Sequence, residues 1–357
     1  MTHETAGSAT ARTRQHDHPT ILDVAERAGV SKSLVSLVLR GSPRVSEEKR
    51  AAVLRAADEL RYRPNAVARS LVNKRSFLIG VMLSDLHNPF FVEIVDGIEE
   101  EARTAQYSAL FNTGGRTAEG ESVAIETLLQ LRTDGIILAS PVLPSREIRS
   151  AAATTRVVLV ARPSRWPEVD SVANDDRAGA RMAVGHLFEL GHRTIAHIDG
   201  GQGAGATARR AGYGDAMRSY GLDGESLVVQ GDYTEEGGTA GVSQLLSAGS
   251  RPSAIFAAND LAAIGALHTL EKEGLRVPED VSLIGYDNTS LAALGHINLT
   301  TIDQPRREMG ATAVRLFLDR LDGSRARARH VLVQPKLVVR GTTAPPPSRR
   351  TSEFRDR

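Results

Sequence analysis

Apolar positions along this chain repeat with two different periods, and the change of period divides it. From Thr20 to Arg63 the spacing is helical. Ile21, Val24, Ala25 and Ala28 recur at 3-1-3 steps, one buried face of a short helix. Gly29 ends that helix, because glycine enters a tight turn without a side-chain clash, and Ser31 is placed to cap the next. That second helix is expected from about Lys32 to Arg40, with Val35, Val38 and Leu39 packed inward and Lys32, Ser33, Ser36 and Leu37 facing out. Ser46, Glu47 and Glu48 supply a cap and first-turn acids for a third helix, whose Val53, Ala56, Ala57 and Leu60 close a three-helix core.

From Phe77 onward, short β-branched runs alternate with amphipathic stretches. The first series is LIGVML, YSALFN, GIILA and RVVLVA; the second is TIAHID, SLVVQG, SAIFAA and VSLIGY, separated by helical patterns. Alternation of this kind predicts parallel sheets covered by helices. Two such series imply two lobes, with ligands bound where strand C-terminal ends face a crevice.

Charge changes the picture of the first block. Residues 1–75 hold fourteen Lys and Arg against eight Asp and Glu, whereas the remainder holds thirty against thirty-five, so the whole-chain net charge of +1 conceals a basic head on an acidic body. A basic helix-turn-helix is suited to phosphate contact, with the second helix entering the major groove. The chain has no cysteine, and hence no disulfide or thiolate metal site. It also has no long apolar run, and its first nineteen residues lack a signal-peptide core, which leads us to expect a cytoplasmic protein.

The run TILDVAERAGVSKSLVSLVLRGSPRVSEEKRAAVLRAADELRYRPNAVARSL resembles the head of the LacI/GalR transcriptional regulators, and the likeness continues to about Thr343. The resemblance implies an α/β fold: a three-helix DNA-binding head and hinge helix, then a two-lobed core like that of periplasmic binding proteins. The expected boundaries are a disordered tail over 1–19, the head over 20–63, the hinge and linker over 64–75, the core over 76–343 and a disordered tail over 344–357. Within the core, lobe one is expected at about 76–174 and 302–323, and lobe two at about 175–301 and 329–341, the latter ending in a strand around Val331 to Val339. The resemblance further implies a homodimer on a pseudo-palindromic operator, a small-molecule effector, no cofactor and no enzymatic activity.

Candidate DNA contacts are Lys32, Ser33, Leu34, Ser36, Leu37 and Arg40. Many relatives carry Thr, Arg and Asn where this chain has Leu34, Leu37 and Arg40, so a guanine contact is lost and Leu37 is left to meet thymine methyl groups. In the hinge, Asn65, Ala68, Arg69 and Leu71 are expected to touch DNA, Leu71 as a wedge between base steps in the minor groove. A hinge segment of this length does not hold a helix by itself.

In the body, Ser84 to Phe91 follows the first strand and opens the first helix, placing Asp85 and Phe90 at the crevice. Arg209 matches the family arginine that reaches into the cleft, and Asp287 matches an acidic effector contact. Asn174 marks the crossover, while Tyr233, Asn259 and Gln304 sit at similar lobe edges. Taken singly, each also fits a helix cap or a surface salt bridge. Planar donors beside aromatic rings suit a sugar or sugar derivative.

Two rival readings arise. Gly201-Gln202-Gly203-Ala204-Gly205-Ala206 fits the G-x-G-x-x-A dinucleotide pattern, with Asp223 and Glu225 near the acidic spacing, which suggests an NAD-dependent enzyme carrying a DNA-binding head. A secreted solute-binding protein accounts for the body, but for neither the head nor the missing signal.

Overall fold

A computed structural model describes residues 19–39, 42–62 and 75–347 of the chain. They form two compact units divided between Ser76 and Phe77.

The head contains α1 (Ile21–Arg27), α2 (Lys32–Leu39) and α3 (Glu47–Glu59). Thr20 and Asp23 form a reciprocal capping box at the start of α1. Gly29 takes a left-handed φ of 65° in the turn, and the Ser31 hydroxyl accepts from the Leu34 amide at 3.2 Å, as a cap should. Ser46 has extended N-cap backbone before α3, although its hydroxyl makes no capping bond. Val24, Val35, Val38, Val53 and Ala56 are buried together, and the exposed Arg27–Glu59 pair ties α1 to α3 at 2.7 Å.

The second unit holds two sheets of six strands each. Lobe one contains β1 (Leu78–Leu83), α4 (Phe90–Thr104), β2 (Ser108–Thr113), α5 (Ala118–Gln130), β3 (Gly135–Ala139), α6 (Ser145–Thr154), β4 (Val157–Val160) and β5 (Asp170–Asn174). Lobe two contains α7 (Asp176–Glu189), β6 (Ile195–Ile198), α8 (Ala206–Ser219), β7 (Leu227–Val229), α9 (Glu235–Ser247), β8 (Ala254–Ala257), α10 (Asp260–Lys272), β9 (Ser282–Asp287) and β10 (Thr300–Asp303). The chain then returns to lobe one as α11 (Arg306–Leu321), which packs on α4. It ends with β11 (His330–Val333) and β12 (Lys336–Val338).

Sheet one runs β11-β5-β4-β3-β1-β2 and is parallel throughout. Sheet two runs β12-β10-β9-β8-β6-β7, with β12 antiparallel at its edge. β1, β3, β4, β8 and β9 are nearly continuous apolar runs, as strands covered on both faces must be.

Two boundaries expected from the sequence are corrected. The last strand does not lie wholly in lobe two: Val331–Val333 pairs with β5 in sheet one, and only Lys336–Val338 joins β10. Pro335 separates them, since it has no N–H to donate to a ladder. Nor does residue 344 begin a loose tail. The Ala344 amide donates to Ser282 Oγ at 3.0 Å, and its carbonyl accepts from the same hydroxyl at 3.0 Å, so the chain stays bound to lobe two one residue past the expected end. Among the described residues no helix is long and apolar enough to cross a membrane.

Candidate functional site

The C-terminal ends of both sheets face one cleft of about 490 Å³ between the lobes. Lobe one contributes Ser84, Asp85, Asn88, Phe90 and Phe91 from the loop after β1 and the start of α4. An Asx turn shapes that loop, with Asp85 Oδ1 accepting from the His87 amide at 2.8 Å. Asn88 then accepts from the Phe90 amide at 2.9 Å and starts the helix. The Phe90 and Phe91 rings meet edge to face at 5.2 Å, which fixes the Phe90 ring at the cleft wall.

Opposite them, Arg209 projects from α8. It is buried, donates to Asp176 Oδ1 at 3.0 Å and to the Ala258 carbonyl, and lies 3.7 Å from an Asp287 oxygen. Its guanidinium also sits 3.7 Å from the centre of the Tyr286 ring. Asp176, which the sequence reading missed, is thus the main partner of this arginine; its place at the start of α7 makes it look like an ordinary first-turn acid.

Asp287 ends β9 with φ 108°, followed by Asn288 at 54°. Two consecutive non-glycine residues at positive φ are strained backbone, held here by specific bonds. Gln304 donates to Asp287 Oδ1 at 2.6 Å, and Arg306 and Arg340 bind Asn288 at 2.7 and 2.6 Å. Burial pushes the Asp287 carboxyl up to about 7, with Asp260 adding to the rise and Arg209, Arg306 and Gln304 opposing it.

Of the eight expected ligand residues, Asp85, Phe90, Arg209, Tyr233, Asn259, Asp287 and Gln304 line the cleft. Asn174 is the exception and is corrected. It lies behind Asp176, its amide donating to the Tyr286 hydroxyl at 2.7 Å, so it supports the wall instead of facing the cavity. Asn259 does two jobs, capping α10 through the Ala262 amide at 2.9 Å and donating to the Tyr233 carbonyl at 3.2 Å.

The glycine-rich loop has an internal explanation. A Cβ on Gly200 or Gly203 would come within 2.5 or 2.3 Å of the Tyr233 ring, whose hydroxyl donates to the Ala204 carbonyl at 2.8 Å. Gly205 has φ 83° and stands against Asp176. Gly200 and Gly203 thus make room for a tyrosine some thirty residues away, and a Cβ on Gly201 (φ 59°) would fall 2.9 Å from the Gly231 carbonyl, so no pyrophosphate is needed to account for the loop. Asp223 and Glu225 lie on an exposed 3-10 turn beyond α8 and do not line the cleft, which leaves the dinucleotide pattern without its acidic partner.

Two further groups escaped the sequence reading. Glu121 is buried and accepts from the Val142 and Leu143 amides at 2.9 Å, while Arg162 donates to the Pro141 and Leu143 carbonyls at 2.9 and 2.6 Å. Together they fix the loop that carries Ser140 and Val142 into the cleft. Arg116 of lobe one meets Asp232 of lobe two at 3.1 Å.

In the head, Lys32 and Ser33 are exposed on α2 and Ser36 is half-buried. Leu34 is half-buried against the core. Leu37, expected to face out, also packs partly against the core. It lies only about 60° around the helix from Leu34, on the shoulder of the buried arc. Arg40 and the hinge residues Asn65, Ala68, Arg69 and Leu71 lie outside the described residues.

Residues 20–65 match the family model for bacterial regulatory proteins, lacI family, and residues 184–343 match the periplasmic binding protein-like domain. The chain is 36% identical over 340 residues to the HTH-type transcriptional repressor PurR of Escherichia coli, covering 92% of this chain and 98% of that protein. It is 34% identical over 338 residues to PurR of Erwinia tasmaniensis, with the same coverage. The lac repressor dimer bound to operator and the anti-inducer ONPF superposes with a TM-score of 0.81 at 32% identity, over 92% of this chain and 99% of that one. The transcriptional regulator CelR in complex with cellobiose gives 0.69 at 32% identity, over 91% and 100%. This chain, a DNA-binding transcriptional repressor under small-molecule control, belongs to the LacI family of bacterial regulatory proteins.

Proposed function

We propose that the molecule controlling this repressor is an uncharged, polyhydroxylated ring of sugar size, bound between Phe90 and the Arg209–Asp287 wall. The observation that carries this reading is the charge of the cleft. Asp85, Asp176, Asp232 and Asp287 line it against Arg116 and Arg209, and both guanidiniums already have carboxylate partners. A phosphate or carboxylate on the ligand would meet surplus negative charge and no spare cation. Hydroxyl groups suit it instead, because carboxylates accept from them strongly and Phe90 offers a flat apolar face. CelR binds cellobiose in a related core, in keeping with this class. The paired aromatics of the same wall favour a neutral nucleobase as the second reading.

We further infer a cytoplasmic homodimer, with Lys32, Ser33 and Ser36 toward base edges, Leu34 and Leu37 offering them only what the head core leaves uncovered, and the hinge residues in the minor groove between two heads. We assign it no catalytic step. The test is footprinting on the DNA upstream of its own reading frame at controlled salt, with neutral sugars, sugar phosphates, nucleobases and NAD added in turn. Release or tightening by a neutral sugar supports the reading. A response confined to sugar phosphates or NAD refutes it, and a response to a nucleobase alone selects the second reading.

A further inference from the structure

The connections between the lobes all lie on one side of the cleft. They follow β5, β10 and β11, strands at or next to one edge of each sheet. At the opposite edges stand β2 in sheet one and β7 in sheet two. Arg116 lies three residues beyond the end of β2 and Asp232 three beyond the end of β7. Their ion pair therefore joins the lobes at the edge farthest from the connections, over the cleft that both residues line.

Both ends of the pair are prepared. Arg116 has φ 63°, a strained conformation for arginine, and its amide donates to the Ser84 carbonyl at 2.8 Å. Asp232 offers its other oxygen, Oδ1, to the Thr234 amide and hydroxyl at 2.8 and 2.5 Å, leaving Oδ2 directed at Arg116.

We propose that Arg116 and Asp232 form the gate of the effector cleft, a latch on its free edge that holds the lobes closed and must break for a ligand to enter or leave. From β5 to β2, and from β10 to β7, is four strand steps, a lever of about 20 Å at the usual strand spacing. A rotation of about 10° at the connections moves that edge by about 3.5 Å. The 3.1 Å contact is lost at that amplitude, while contacts near the connections barely change. Because the pair is about two-fifths exposed on each side (38% and 42%), its contribution is modest and screened by salt. A latch suits that strength, since a stronger one would prevent exchange.

The proposal rests on the cleft being the effector site, and its test is built to stand apart from that reading. In the full-length, ligand-free protein, amide hydrogen exchange is followed at residues 84–91 and 200–203. Arg116→Gln and Asp232→Asn should each speed exchange there by about 2- to 5-fold, the range of an exposed ion pair. The charge swap, R116D with D232R, should recover most of the protection. High salt should speed exchange in the parent protein and leave Arg116→Gln unchanged. Exchange unaltered in both single variants, or a swap no better protected than they are, overturns the latch. Normal latch behaviour in a protein that answers no sugar would sink the proposed effector class and leave the latch standing.

Discussion

At the scale of single residues, the cleft depends on buried charges that are compensated unequally. Asp287 touches Gln304 directly but Arg209 only at 3.7 Å, so its carboxyl is under-compensated, is pushed up to about 7, and in its ionised form is available to a ligand hydroxyl. Asp287→Asn keeps the shape and removes the charge. Effector affinity, read by titrating operator release, should fall about 10- to 100-fold, the worth of a charge-assisted hydrogen bond. An unchanged titration would take Asp287 out of the site. His197 is the opposite case, a buried neutral base between Phe256 and Tyr213, with ring centroids at 4.6 and 5.3 Å. Burial is the main cause that pushes its pKa down to about 4. Between that value and the ordinary 6.5 the unfolded chain takes up a proton that the folded chain refuses, so this residue costs stability as pH falls through that window. Asp287, raised from 3.8 to about 7, works the other way: the folded state keeps a proton the unfolded state has lost, and stability falls as pH rises toward 7. Urea unfolding against pH separates the two. The two windows nearly coincide and their slopes oppose, so His197→Phe should recover stability progressively toward pH 4 and Asp287→Asn progressively toward pH 7, whereas identical profiles in both variants would contradict these assignments.

At the scale of elements, helices approach one another closely through glycine. A Cβ on Gly97 of α4 would fall 2.0 Å from the Arg307 carbonyl of α11, and one on Gly238 of α9 would fall 1.9 Å from the Ala262 carbonyl of α10. The loop of Gly200 to Gly205 uses the same device against a side chain. Gly203→Ala should displace the Tyr233 ring, lower core stability by about 1–3 kcal/mol and weaken effector binding. In a double-mutant cycle the stability penalty should vanish when Tyr233 is first cut to alanine, because the clash is then gone. A penalty that persists in the Tyr233→Ala background would show the glycine to be needed for something other than the ring. This loop also marks where pattern reading stops. Its glycines fitted a dinucleotide fingerprint as well as a cleft, and only the position of Tyr233 separates the two. β5 was missed for a related reason, since Asp170 and Ser171 make DSVAN look like a loop. Asp170 is buried at the strand's start, where Arg325 and the Arg329 amide donate to it at 2.7 Å each, from residues more than 150 positions away.

At the scale of the whole molecule, the route of control from core to head that follows from the proposed function is the hinge segment expected from the sequence, and Leu71 is the residue that tests it. Leu71→Ala should weaken binding to the specific operator by at least about 10-fold more than binding to random DNA, as expected of a wedge whose loss forfeits the kink. Competition footprinting at fixed salt measures the ratio. Equal losses on both DNAs would mean that Leu71 acts only through general affinity.

The sequence by itself determined the features that depend on local periodicity and local chemistry. These are the three head helices with the cap at Ser31, the parallel strands from LIGVML to VSLIGY, the division into two lobes, and the cleft residues that stand at or just past strand ends, such as Asp85, Asn259 and Gln304, while Arg209 and Asp287 came from the family resemblance. What the tertiary structure decided was pairing between distant positions. It gave Arg209 its partner Asp176, set Tyr233 into the glycine loop, and placed Asn174 behind the wall instead of on it. It also split the final strand between two sheets at Pro335 and brought Arg116 to Asp232 across the cleft. Backbone preference acts over a few residues and leaves a trace in the pattern of the chain. A salt bridge or a ring contact between residues a hundred positions apart depends on where the fold carries both ends, and neither residue's neighbours record it.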